Sequence, residues 1–329
     1  MNSKHISNRE SVWGHPVYAQ FREEIDPFRD CQYFRPLNKA YDGDNTFWSV
    51  PSPEPDLDDE FWELVHSHLD NENVRKAASC LAQAISRWEP DGSKLVFAAI
   101  LRAGVPIADW LCRLHPGSVA VSLSLFVGLG IDQAAVKLLR ETYPDRKIVF
   151  TDGWTGRGGV AREIAKLGAG PLAVLNDPWG WADFSGCQED IFCPTACFTG
   201  AATLGFSRTF YVDSESLFAA YLFPEKYCRY DLVKAWQSLC APVQVTCREL
   251  IKKCFFKKTD LRLHSNEVCR ALINADPDNI CFFDDSVYVR EHYPLLLALA
   301  ERRKVKMVYD ARFLENYKTR VACSFGKNG

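Results

Sequence analysis

A chain of 329 residues with 47% hydrophobic and 25% charged residues predicts a globular protein of two domains, and it excludes a disordered or fibrous one. No apolar run is long enough to cross a bilayer as a helix, which excludes a helical membrane protein. The polar start predicts no secretory leader. The thirteen cysteines are scattered without zinc-type spacing, so the expectation is a cytoplasmic protein with no protein-built metal cage and with reduced, buried thiols such as Cys80, Cys112 and Cys269.

Residues 1–55 read as an N-terminal extension laid against the body. They end in Pro51-Ser52-Pro53-Glu54-Pro55, which suits neither a helix nor an inner strand. Helical spacing follows over 56–70 (Leu64, Val65, Leu69) and 71–88 (Val74, Ala77, Ala78, Leu81, Ile85). Short apolar runs at 94–100, 118–126, 147–151 and 171–176 then alternate with helical patterns at 105–114, 131–142 and 159–167. Buried strands joined by helices predict an α/β domain over 56–240, with a doubly wound, mostly parallel sheet. Ligands of such sheets bind at the carboxyl ends of the strands. Helices are expected at 214–222 and 225–239, and Ala241-Pro242 marks a boundary. Residues 241–329 alternate again, through 246–256, 265–275, 279–283, 291–302, 305–309 and 311–317. They predict a small α/β/α domain. This last part holds 16 Lys and Arg against 11 Asp and Glu, a balance of +5 on a body of −8. That asymmetry points to a polyanion contact there, although solvated basic faces are common.

The segment Ile148-Val149-Phe150-Thr151-Asp152-Gly153-Trp154-Thr155-Gly156-Arg157-Gly158-Gly159 carries the most information. A buried strand ends in an acid, a glycine-rich loop follows, and a helix begins. Glycines let the backbone approach a ligand, and the helix start offers unpaired N–H groups and partial positive charge. Together they suit an anion. Thr155 adds a hydroxyl donor, Arg157 a charged one, and Asp152 an acceptor for sugar hydroxyls. Neither the Walker nor the dinucleotide spacing is present. The alternative is a glycine turn that only reverses the chain. A second loop, Leu101-Arg102-Ala103-Gly104, ends the first strand. An arginine directly after a buried strand needs a partner, either a ligand or an acid of its own sheet.

Two anion loops on neighbouring strands resemble the type I phosphoribosyltransferases, whose diphosphate loop Ile100-Leu101-Arg102-Ala103-Gly104 matches word for word. The resemblance implies 5-phosphoribosyl 1-diphosphate with Mg²⁺ as ligand. Gly153, Thr155, Gly156, Arg157 and Gly158 would lie around the 5-phosphate, Asp152 on the ribose, and Leu101, Arg102, Ala103 and Gly104 on the diphosphate. It also implies departure of diphosphate through an oxocarbenium-like state, with Asp152 and Arg102 at the chemistry. Those enzymes pair two acids before a longer loop; here Asp152 is followed by Gly153. The departure bears on turnover more than on binding.

A narrower resemblance covers residues 10–235. Val121-Ser122-Leu123-Ser124, Gly130-Ile131-Asp132, the Asp152-Gly153-Trp154-Thr155-Gly156 loop, Gly186-Cys187-Gln188-Glu189-Asp190, Pro194-Thr195-Ala196-Cys197 and Ser207-Arg208-Thr209 are similar to the StiP domain of tellurite-resistance-associated stress operons. That family carries two labels. One is a phosphoribosyltransferase that builds a nucleoside-like product; the other is a cysteine protease, for which Cys197 is the matching nucleophile. A protease needs a thiolate with a base in reach, and no histidine stands between His115 and His264. Glu189 and Asp190 are expected on the acceptor side, or as solvated loop acids. The C-terminal part resembles the Pelota-type RNA-binding domain. The resemblance implies RNA contact by Asn266 and Glu267, with Lys257, Lys258 and Arg262 on phosphates. A non-catalytic nucleotide- or RNA-binding module is the remaining alternative, and the oligomeric state is not legible.

Overall fold

A computed structural model describes residues 12–36, 46–248, 251 and 257–325. The N-terminal segment is woven into the body. Val17 bridges to Ser122 in parallel, Trp13, Val17 and Ala19 are buried, and β1 (Gln20–Glu24) pairs with a later strand. Two helices follow, α1 (Asp59–Ser67) and α2 (Glu72–Trp88). Each is capped by a side-chain oxygen, from Asp58 to the Phe61 N–H and from Asn71 to the Asn73 and Val74 N–H groups. The buried stripe Val74, Ala77, Ala78, Leu81, Ala82 and Ile85 repeats at helical spacing.

The main sheet has five strands, all parallel, in the order β3 (Val119–Leu123), β2 (Leu95–Ile100), β4 (Lys147–Trp154), β5 (Leu172–Asn176), β6 (Phe184–Cys187). Helices α3 (Gly104–Leu114), α4 (Gln133–Thr142) and α5 (Gly159–Leu167) connect strands within it. β2 is buried along its whole length. Its side chains alternate between two cores: Leu95, Phe97 and Ala99 join α1, α2 and α3, while Val96, Ala98 and Ile100 join α4 and α5. The chain therefore has the doubly wound α/β architecture that the alternation predicts. No helix among the described residues is long and apolar enough to cross a membrane.

After the sheet, β7 (Ala219–Leu222) pairs in parallel with β1, and α6 (Tyr230–Ser238) packs on α3 through stacked Trp110 and Trp236 rings 3.9 Å apart. The C-terminal part has a mixed sheet in the order β8 (Arg262–Leu263), β11 (Val321–Ser324), β9 (Asn279–Phe282), β10 (Lys306–Val308). Its helices are α7 (Ser265–Asn274), α8 (Ser286–His292) and α9 (Pro294–Arg302). One buried cluster runs without a break from α2 and α3, through Cys193, Ala196 and Cys197, into α7 and α9.

Several sequence expectations are corrected. The helix expected at 214–222 is the strand β7, because the buried run Leu217, Phe218, Ala219 and Ala220 finds the N-terminal β1 as its hydrogen-bonding partner. The single helix at 291–302 is two, divided where Pro294 starts α9. Of the helix expected at 246–256, residues 246–248 are not helical, and all but Ile251 of the rest lies outside the described residues. Cys80 is no free thiol: it forms a disulfide with Cys247, tying the segment after residue 241 to α2.

Candidate functional site

The loops leaving β2, β4, β5 and β6 line the carboxyl edge of the sheet, and α7 is joined to them at every turn. The helix has no side-chain cap from His264, which sits at φ 75°. The loop after β6 supplies one. Asp190 accepts from the Ser265 N–H (2.9 Å) and hydroxyl (2.8 Å), the Thr319 hydroxyl (3.0 Å) and the Arg320 N–H (3.0 Å). Asn266 is fully buried. Its Oδ1 accepts from the Cys193 N–H at 2.7 Å, and its Nδ2 donates to the Ile191 carbonyl at 2.8 Å. Asp190 is thus a joint between the two parts of the chain, and Asn266 faces the first part. The RNA-facing role expected of Asn266 finds no exposed surface in this arrangement.

β4 runs on to Trp154, so the glycine loop begins later than the sequence suggests. Two glycines are sterically required. A Cβ on Gly104 would overlap the Thr151 carbonyl, and one on Gly158, at φ 77°, would enter the Trp181 ring. Asp152 is partly buried, and its carboxylate accepts from the Gly153 N–H at 2.7 Å. Burial pushes its pKa up to about 7, Glu267 adds to the rise, and Arg270 opposes it. Thr155 turns inward: its hydroxyl donates to Asp177, which also accepts from the Gly180 and Ala182 N–H groups. The hydroxyl expected on a phosphate is therefore spent on the turn after β5. Arg157 is exposed, and its Nη1 donates to the Thr259 carbonyl at 2.7 Å. The N–H groups of Gly156, Arg157 and Gly158 donate to no described residue.

A carboxylate from α7 meets this loop. Glu267 Oε1 accepts from Trp154 Nε1 at 2.9 Å, and Oε2 pairs with Arg262 at 3.1 Å. A Cβ on Gly156 would stand only 3.0–3.1 Å from the Glu267 side chain, so the acid lies on the glycine loop itself. Beside it, His264 is buried with neither ring nitrogen in a well-formed hydrogen bond to a described residue. Burial lowers its pKa, against the carboxylates of Asp190, Glu267 and Asp177 and the nearby Thr155 backbone.

On the β2 side, arginines converge. Arg102 donates from Nη1 to Glu54 Oε1 (2.8 Å) and from Nη2 to Asn274 Oδ1 (2.6 Å). Glu54 also accepts from the Gly200 and Ala201 N–H groups (2.8 and 3.3 Å). Arg270 on α7 donates to the carbonyls of Phe198 (2.7 Å) and Ala196 (3.3 Å). Arg208 lies with its guanidinium 4.6 Å from the Phe126 ring centroid. Burial depresses Arg208 to about 9, with Arg35, Arg102 and Arg270 adding to the fall. Burial likewise takes Arg270 to about 10, with Arg102 adding. Cationic groups near enough to lower a neighbour's pKa repel it, and an anion among them relieves that repulsion. The cavity against Arg102, Ala103, Thr195, Phe198 and Arg270 measures about 10 Å³.

The remaining predicted residues divide. Leu101 and Ala103 are partly buried, and the Leu101 N–H is bound to the Leu123 carbonyl at 2.9 Å. Glu189 is exposed and pairs with Arg248 at 3.1 Å. Cys197 is fully buried with its sulfur 3.6 Å from that of Cys269. Burial pushes its pKa well above the usual thiol range, and no histidine is among its hydrogen-bond partners. Lys257, Lys258 and Arg262 are exposed, with Lys257 4.6 Å from the Tyr317 ring centroid. Glu54, Arg208 and Arg270 join the site without having been expected there from the sequence. Arg208 lies in a quoted motif, and Arg270 is the single cation within the otherwise apolar run Val268-Cys269-Arg270-Ala271-Leu272-Ile273.

Residues 41–235 match the family described as "Tellurite-like stress resistance cysteine protease StiP". The chain belongs to the StiP family. It is 30% identical over 172 residues to a protein named "Cysteine protease StiP" from Acinetobacter baylyi. That match covers 47% of this chain and 45% of the relative, so the chain spans less than half of that relative's length. Among solved structures it is similar to a hypoxanthine-guanine phosphoribosyltransferase from Bacillus anthracis, with 16% identity and a TM-score of 0.25 over 33% of this chain and 70% of that one. A likeness so slight carries no argument; the parallel strand order stands on its own. The StiP match ends before α7, so Glu267 and Arg270 lie outside it.

Proposed function

We propose that this StiP-family chain binds a ribose phosphate carrying a second anionic group, such as 5-phosphoribosyl 1-diphosphate, along the carboxyl edge of its parallel sheet. The observation that carries this reading is the convergence of Arg102 and Arg270 on one cavity with Arg208 near them, burial and the neighbouring cations depressing Arg208 and Arg270. The glycine loop at the start of α5 gives the other end of the ligand unclaimed N–H groups. Asp152 lies between the two ends, where a carboxylate accepts from sugar hydroxyls. Mg²⁺ would arrive on the diphosphate and spread its charge; the described residues contain no cluster of three or more ligating side chains that could hold a metal ion. The chemistry such a ligand supports is ribosyl transfer with diphosphate leaving, in a stress-related nucleoside-like pathway. The arginines would stabilise the leaving charge, and the exclusion of water by α7 would strengthen that effect. Contact of the C-terminal part with RNA would fall to Lys257, Lys258 and Arg262, and salt-dependent RNA binding is its test.

The test of the main reading is titration calorimetry with phosphoribosyl diphosphate and Mg²⁺ on the wild type, Asp152→Asn and Arg102→Ala. Micromolar binding that weakens in both variants supports it. Absence of binding at millimolar ligand in a folded chain overturns it.

The family's description favours a second reading, a cysteine peptidase with Cys197 as nucleophile. It requires the Cys197 thiol to leave its contact with Cys269 and to gain a base. Peptide hydrolysis abolished by Cys197→Ser would support it.

A further inference from the structure

We infer that the anion site is shared between the two parts of the chain: α7 brings Arg270 to the arginine cluster, and it lays the Glu267 carboxylate over the glycine loop as an internal anion that an incoming phosphate displaces. The inference rests on the ligand reading above and deepens it.

Three observations carry it. First, the carboxylate stands over the loop in the space a phosphate would enter, held there by Trp154 and Arg262 and not by the loop N–H groups. Glu267 Oε1 accepts from Trp154 Nε1, the side chain stands over Gly156, and the charge is near enough to act on both Asp152 and Arg157. Its negative charge would repel a phosphate entering the same space. Second, His264 beside it is 1% exposed, and its ring nitrogens make no well-formed hydrogen bond to a described residue, with only a marginal approach to the Thr155 backbone. A buried polar group in that condition costs free energy that a ligand oxygen would recover. Third, the space against Arg102 and Arg270 is about 10 Å³, room for a water at most, so an anion larger than water enters only if the lining moves, and Arg270 of α7 is part of that lining. A shift of α7 would disturb the buried packing of Val268, Cys269 and Leu272 and give up the bond from Arg102 to Asn274. A ligand diphosphate on the arginines would replace that bond.

The arrangement makes one residue of α7 favour the ligand and another oppose it, which a merely structural docking would not do. The test is calorimetry on the full chain with two probes, ribose 5-phosphate and inorganic pyrophosphate with Mg²⁺, using the wild type, Glu267→Gln, Trp154→Phe and Arg270→Ala. Glu267→Gln keeps the shape and removes the charge; Trp154→Phe removes the donor that holds it. Both are expected to tighten ribose 5-phosphate at least tenfold, while Arg270→Ala weakens pyrophosphate at least tenfold. Hydrogen exchange in residues 265–274 is expected to speed up when ligand binds the wild type. If the wild type binds and Glu267→Gln binds no tighter, the inference falls while the ligand reading stands. If neither the wild type nor Glu267→Gln binds either probe, both fall.

Discussion

Replacing Asp190 by alanine separates a joint from a catalytic acid. The carboxylate accepts four hydrogen bonds, from the Ser265 N–H and hydroxyl, the Thr319 hydroxyl and the Arg320 N–H. Loss of the helix cap alone costs about 0.5–2 kcal/mol. Each donor left buried without a partner adds about 1–3 kcal/mol, and the lower end applies because partial exposure at Asp190 lets water replace some bonds. The expected loss is about 2–4 kcal/mol for Asp190→Ala, concentrated in the docking of α7. Urea unfolding followed by intrinsic fluorescence measures the total, and hydrogen exchange of residues 265–274 locates it. A change under about 0.5 kcal/mol with unaltered exchange would refute the reasoning and return Asp190 to the acceptor side of the site.

Gly158→Ala is expected to cost about 2–4 kcal/mol, combining the left-handed backbone with overlap on the Trp181 ring, and thermal melting checks it. The pKa of Asp152, raised to about 7 from 3.8, gives a pH signature. The folded chain holds this proton more tightly than the unfolded one, so its contribution to stability is fully present below the unfolded value and lost as pH rises through about 7. The stability of the wild type relative to Asp152→Asn should therefore fall between about pH 4 and pH 7 and level off above, and urea unfolding across that range measures it; a flat difference contradicts the burial of this carboxyl. Among the free thiols, exposed Cys31 should be alkylated in the native chain well before buried Cys197, as read by peptide mass spectrometry. Rapid alkylation of Cys197 would instead favour the peptidase reading.

The sheet was legible because its strands are short apolar runs bounded by helical patterns, and burial on both faces leaves little else for such runs to be. The glycine loop was legible for a related reason: Gly158 has to take a left-handed backbone at the start of α5, and no other residue does so without strain. What escaped the sequence depends on partners distant in the chain. Residues 217–222 became a strand because of residues 20–24, and Cys80 pairs with a cysteine 167 residues away. Asn266 and Glu267 read as surface groups on a helix start, yet that start is capped by Asp190, an acid of another sheet's loop. Arg270 reads as a lone cation on an amphipathic helix, and only the docking of α7 sets it beside Arg102 and Arg208. Local pattern specifies elements; which faces meet is decided by packing across the whole chain.

The central claim is that a doubly anionic ribose ligand spans the glycine loop and the arginine cluster. The most direct measurement is a crystal structure of the full chain with 5-phosphoribosyl 1-diphosphate and Mg²⁺ at saturating concentration. The 5-phosphate is expected on Gly156, Arg157 and Gly158, the diphosphate among Arg102, Arg208 and Arg270, and Glu267 moved off the loop. Ligand bound elsewhere, or a site still filled by Glu267 at saturation, would contradict it.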